Sequence, residues 1–278
     1  MPPLRFDVPT PLAYFASLVA SDEGFPLLEA AVSLAQDDDP GLDVQTVLDE
    51  IDGLALRLRE RLPGDAAPLA RLRLLNRFFF QELGFAGNVN DYHDRRNSLV
   101  PTVLRSRRGI PITLAVLYQE FGQQAGLVVQ GVSFPGHFLV KVVLPRGEVL
   151  IDPFSGQSLG REALEERLQP FRAGREDLPL AMFLGSARPR EVIARMLRNL
   201  KEIHRSHADW RRLERVQARL VLLLPEAWDE RRDHALALAE LGARREAARA
   251  LAVYLEHCPD AVDAPQLARH MAAWQAAS

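Results

Sequence analysis

The sequence predicts an α+β domain with a small antiparallel sheet, over residues 1–185, followed by an all-helical region over 186–278. Three observations carry this reading. Apolar residues recur with a helical period up to about residue 84. The period changes to two between residues 127 and 152, as a half-buried sheet requires. Beyond about residue 190 only helical spacing remains, and Pro225 and Pro259 stand 34 positions apart, a spacing that suits a repeated pair of helices.

Leu28, Ala31, Val32 and Ala35 recur at i, i+3, i+4 and i+7. After the break at Asp37-Asp38-Asp39-Pro40-Gly41, the residues Val44, Val47, Leu48, Ile51, Leu54, Ala55 and Leu58 form a second helical stripe. A third helix is expected over 68–83, with Leu69, Leu72, Leu75 and Phe79 inward and Gly84 at its end. Residues 88–110 are turn-rich, because short polar side chains such as Asn88, Asp94, Asn97 and Ser98 compete for backbone hydrogen bonds. Pro111 then opens a buried helix over 112–125, closed by Gly126. Strands are expected over 127–134, 137–144 and 148–152, the last two joined by the turn at Pro145-Arg146-Gly147. A helix follows over 161–168. Residues 170–190, with Pro170, Gly174, Pro179, Gly185 and Pro189, read as a linker, in which Met182, Phe183 and Leu184 are expected to help dock the two parts together. In the helical region, Gly242, Ala247 and Pro259 occupy the inter-helix turn, the close crossing and the end of a tetratricopeptide unit. A step back of 34 places Ala208, Leu213 and Pro225 in the same roles.

Composition narrows the function classes. Of 278 residues, 47% are hydrophobic and 26% charged, which excludes a disordered chain. The single cysteine excludes a disulfide scaffold and a zinc site built on cysteines. The net charge of −3 offers no electrostatic footprint for nucleic acid. No apolar stretch is long enough to span a bilayer. The opening Met1-Pro-Pro-Leu-Arg-Phe-Asp lacks the pattern of a secretory signal, so a cytoplasmic location is expected. Metal-ligand spacing, Gly-rich phosphate loops and other cofactor motifs are absent, and no metal or cofactor is expected.

One constellation has chemical potential. A turn of two or four residues between the last two strands puts Asp152 opposite Leu139 or Lys141, which share strand parity with His137. His137 and Asp152 then project from one face, where a carboxylate can fix an imidazole's tautomer and stabilise its charged form. The helix opened by Pro111 presents unpaired N–H groups at its start, where a nucleophile or an oxyanion would be stabilised. Thr113 is the only hydroxyl in that segment. Its plainer reading is a helix cap.

At this point the chain resembles the bacterial transglutaminase-like family with C-terminal tetratricopeptide repeats, the SirB-type proteins. The resemblance runs from about Leu74 to Pro259. It rests on Asp94-Arg95-Arg96-Asn97-Ser98, Arg107-Arg108-Gly109-Ile110-Pro111-Ile112-Thr113-Leu114, Gly131-Val132-Ser133-Phe134-Pro135-Gly136-His137-Phe138 and Ile151-Asp152-Pro153-Phe154. It implies a papain-like, transglutaminase-core fold joined to a helical repeat, with His137 and Asp152 in the second and third triad positions. Active members carry a cysteine at the start of the core helix. Here residues 109–115 are Gly, Ile, Pro, Ile, Thr, Leu and Ala. Thr113 takes the nucleophile's place by type, while counting back from Gly126 points to Pro111 or Ile112.

The function expected is therefore a non-catalytic protein- or peptide-binding or regulatory module, with a protein or peptide as partner. The alternative is a hydrolase or acyl-transferase that uses Thr113, His137 and Asp152. Asn97, Arg108, Pro135 and Gly136 are candidates for contacting the partner or substrate. Beside that stand plainer readings: Asn97 as a cap or turn residue, and Arg108 as part of a solvated face with Arg105 and Arg107.

Overall fold

The computed structural model describes residues 9–172 and 178–276. The start of the chain, read above for a signal, and Gly174 of the linker lie outside the described residues. In chain order the helices are α1 (Pro11–Leu18), α2 (Leu27–Ser33), α3 (Val44–Arg59), α4 (Pro68–Asn76), α5 (Val100–Ser106), α6 (Pro111–Gln124), α7 (Arg161–Arg172), α8 (Pro189–Ser206), α9 (Trp210–Leu223), α10 (Trp228–Glu240), α11 (Arg244–His257) and α12 (Ala264–Ala276). The strands are β1 (Ala86–Gly87), β2 (Arg108–Gly109), β3 (Val128–Val132), β4 (Leu139–Leu144), β5 (Gly147–Asp152) and β6 (Gln157–Leu159). Where composition suggests one cut near residue 185, the compact units interleave: 26–35 with 41–196, and 9–25 with 36–40 and 197–276.

In the first of these units, the stripe read from α3 is buried: Val44, Val47, Ile51, Leu54, Ala55 and Leu58. Asp43 caps the helix, accepting from the N–H groups of Gln45 and Thr46. The expected helix over 68–83 is regular only to Asn76; it then widens, with Leu83 N–H reaching Phe78 O. Leu72, Leu75 and Phe79 are buried, but Leu69, in the first turn of α4, is 47% exposed. Nearly all of α6 is buried, consistent with its apolar run.

β3, β4, β5 and β6 form an antiparallel meander in that order. Leu144 pairs with Gly147, so Pro145 and Arg146 make a two-residue turn. α6 packs against β3 and β4. Val132, Phe134, Leu139 and Leu150 form a core with Leu164 and Leu168 of α7 and with Leu180. Phe183 and Leu184 pack against that core, and Met182 is 66% exposed. β6 and the short parallel pair β1–β2 escape sequence reading, since two or three residues carry no period.

The other unit is helical. The expected 34-residue step is visible in its backbone: Gly242, between α10 and α11, has φ +78°, and Ala208, between α8 and α9, has φ +52°. Both adopt the left-handed turn, although only one is glycine. Ala247 is fully buried, as a close helix crossing requires. Residues 9–25 and 36–40 join this unit through α9: α1 packs on it, and fully buried Arg219 binds Asp37 bidentately at 2.8 Å for both bonds. The Arg219 guanidinium also lies 4.8 Å from the Phe15 ring centre.

Candidate active site

The two-residue turn decides the parity question. Val140 pairs with Ile151, which puts Leu139 opposite Asp152. His137 precedes β4 in a turn whose His137 N–H donates to Phe134 O at 3.1 Å. Pro135 and Gly136 supply the fixed φ and the positive φ (+67° at Gly136) that a type II turn needs. The Phe171 ring fills the space where a Gly136 side chain would stand; a Cβ there would lie 2.3 Å from Phe171 Cζ. Pro135 and Gly136 thus set the geometry of the turn that presents His137.

His137 Nε2 lies 2.8 Å from Asp152 Oδ1. Asp152 also accepts from the Phe154 N–H at 2.9 Å, the Ser155 hydroxyl at 3.0 Å and Arg167 at 3.2 Å. Burial works to raise the Asp152 pKa, but the His137 bond and charge, the Phe154 N–H and the Ser155 hydroxyl outweigh it. The carboxyl is held well below the usual range, so it is ionised at neutral pH. The His137 side chain is 22% exposed against 4% for Asp152. A buried, fixed carboxylate therefore holds an imidazole that solvent can reach, and among the described residues no other hydrogen bond occupies the ring.

Sequence reasoning missed several neighbours. Arg195 of α8 donates to Ser133 Oγ (2.7 Å), Phe134 O (3.3 Å) and His137 O (2.8 Å), gripping the turn from outside. Burial pushes the Arg195 pKa down, with the Tyr92 charge opposing. Tyr92 and Phe154 rings lie 5.9 Å apart, and Phe154 meets His137 edge-on at 6.5 Å. Phe154 O also accepts from the Gly87 N–H at 2.8 Å, which ties the end of β5 to β1.

Other expected site residues are engaged elsewhere. The Asn97 amide donates to Asp91 O (2.6 Å) and Tyr92 O (3.3 Å) and accepts from Asn88 (3.0 Å), so it holds its own loop. The Arg108 guanidinium donates to Gly84 O and Arg107 O. Thr113 is not the cap of α6: Ile110 holds that position and makes no side-chain bond. Thr113 is fully buried and, among the described residues, its hydroxyl has no hydrogen-bond partner, neither His137 nor backbone. Pro111 and Ile112 are buried with it. Among the described residues no group of three His, Cys, Asp or Glu side chains is arranged to hold a metal.

The transglutaminase-like superfamily matches residues 45–198, more than half of the chain. The chain belongs to the transglutaminase-like superfamily. A tetratricopeptide repeat family matches residues 200–272 of this transglutaminase-like chain. A UPF0162 protein of Xylella fastidiosa is 34% identical over 253 residues, 90% of each chain. The Salmonella typhimurium protein SirB1 is 27% identical over 220 residues, 78% of this chain and 80% of its own. No solved structure matches. The matched core spans His137, Asp152 and Arg195 together, and the repeat match starts within α8.

Proposed function

We propose that the chain is a non-catalytic protein- or peptide-binding module that retains a transglutaminase-like charge pair without its nucleophile. One observation carries this reading: α6 begins without a thiol, and Thr113, its nearest hydroxyl by type, is sealed from solvent and unbonded to His137. A threonine hydroxyl is far less acidic than a thiol and needs a base within about 2.6–3.2 Å to become a nucleophile. Tetratricopeptide repeats, which commonly mediate protein–protein interaction, support a protein or peptide as partner. A cytoplasmic location accompanies the proposal; no described helix is long and apolar enough to cross a membrane, and one cysteine needs no oxidising compartment. The competing reading is a Thr113–His137–Asp152 hydrolase or acyl-transferase, and what favours it is the intact His137–Asp152 pair. Hydrolysis, deamidation and amine transfer on glutamine- and lysine-bearing peptides separate the two. No turnover is expected; turnover that disappears in both His137→Ala and Thr113→Val would establish the enzyme instead.

A further inference from the structure

The two edges of the meander differ. The β3 edge is occupied: Val132 bridges to Ser186, Ala187 N–H donates to Gly131 O at 2.8 Å, and Ser186 Oγ donates to Gln130 at 2.6 Å. β6, at the other edge, pairs with β5 alone among the described residues, and Gln157 and Ser158 are exposed. Beside β6 lies a cavity of about 640 Å³, lined by Leu150, Leu159, Leu164, Leu180, Ala181 and Leu184. Arg161 lies at its rim with its side chain 84% exposed, and its nearest acidic partner, Glu165, is 3.8 Å away. Glu148, the acid at that rim, is drawn off by Lys141 at 3.4 Å.

We propose that β6 receives an extended peptide strand, whose aliphatic side chain enters this cavity and whose acidic residue two positions on, on the same face, meets Arg161. The inference rests on the peptide-binding reading and supplies its place and its ligand chemistry. The outer edge of this three-residue strand offers the few main-chain groups that do not face β5, which a peptide backbone matches and a hydrocarbon chain would leave unpaired. The aliphatic lining selects the anchor, and the loosely held guanidinium selects the sign of the neighbouring charge.

The test uses the full chain and fluorescence anisotropy with labelled octapeptides of alternating Thr and Val. Each has a central Leu, Ala or Lys, followed two positions on by Glu or Lys. Leu with Glu should bind, and Ala or Lys at the centre should weaken binding about tenfold or more. N-methylation of alternate backbone nitrogens should abolish binding. Ala181→Trp, at an exposed position, should block the cavity, while Arg161→Glu should reverse the preference from Glu to Lys. No binding by the Leu peptide, or binding indifferent to N-methylation, overturns the proposal. Should Ala181→Trp fail to fold by circular dichroism, the Arg161→Glu reversal and the N-methyl series decide alone. Mass spectrometry of the same mixtures keeps the two readings apart. Peptide turnover lost in His137→Ala sinks the non-catalytic reading, whereas intact peptides bound without regard to the β6 changes sink only the edge.

Discussion

Asp152 in the sheet unit and Glu230 in the helical unit are buried to nearly the same degree, 3% and 4% exposed. Glu230 is held by permanent cations, Lys201 Nζ at 2.7 Å and Arg198 Nε at 2.8 Å, and Lys201 is shared with Asp233 at 2.6 Å. Asp152 has Arg167 at 3.2 Å, but its shortest bond, 2.8 Å, goes to an imidazole that solvent reaches. A carboxylate closed in by permanent charges holds a fold together and does little else. One that holds a solvent-accessible imidazole leaves a polar group within reach of a ligand. The contrast lies in the partner, not in burial.

Four substitutions break or sharpen that contrast. Glu230→Ala should cost the most, about 3 kcal/mol in urea unfolding, because it strips one of two carboxylate partners from a nearly buried lysine and a partner from Arg198. Asp152→Ala should cost about 2 kcal/mol at pH 7, through the donors it leaves unpaired. Its cost should also depend on pH. The folded-state pKa of Asp152 is lowered, so its stabilisation is complete above the unfolded carboxylate value of about 3.9 and is lost as pH falls toward the folded value. Unfolding at pH 7 and in acid checks this: the gap between Asp152→Ala and the parent should narrow in acid, and a constant gap would contradict it.

Gly136→Ala comes next, with an expected cost of about 1–2 kcal/mol, since φ +67° disfavours a side chain and the Phe171 ring blocks it. The imidazole signals of His137 should shift in the NMR spectrum; unchanged signals would show that the turn does not position the ring. Ala208→Gly should have the smallest effect and the opposite sign. It should gain about 0.5 kcal/mol, because the φ of +52° suits glycine better than alanine, less the entropy that glycine loses on folding. A thermal melt that falls instead would mean that the Ala208 methyl packs productively.

Much of the architecture is legible in short windows of sequence. The α3 stripe, the Pro111 helix start, the Pro145-Arg146 hairpin and the 34-residue step from Ala208 to Gly242 are each read from residues close in the chain, where periodicity and turn chemistry act. The pairing of His137 with Asp152 was legible too, because a hairpin converts a count of residues into a face of the sheet. Leu69 keeps the helical period yet is exposed, because periodicity gives a residue's face but not whether the first turn is covered. Thr113 was misread as a cap because hydroxyl type suggests capping, while the actual cap position falls at Ile110.

What the sequence by itself determined is therefore the order of the longer helices and of β3, β4 and β5, the missing thiol at residues 109–115 and the face that His137 shares with Asp152. Tertiary structure alone decided which groups complete those features. Arg195 reaches the His137 turn across 58 residues, Arg219 reaches Asp37 across 182, and Phe171 fills the space over Gly136. Hydrogen-bond periodicity acts over one or two helical turns, whereas a guanidinium or a ring finds its partner only after distant helices have packed, so no local pattern announces it.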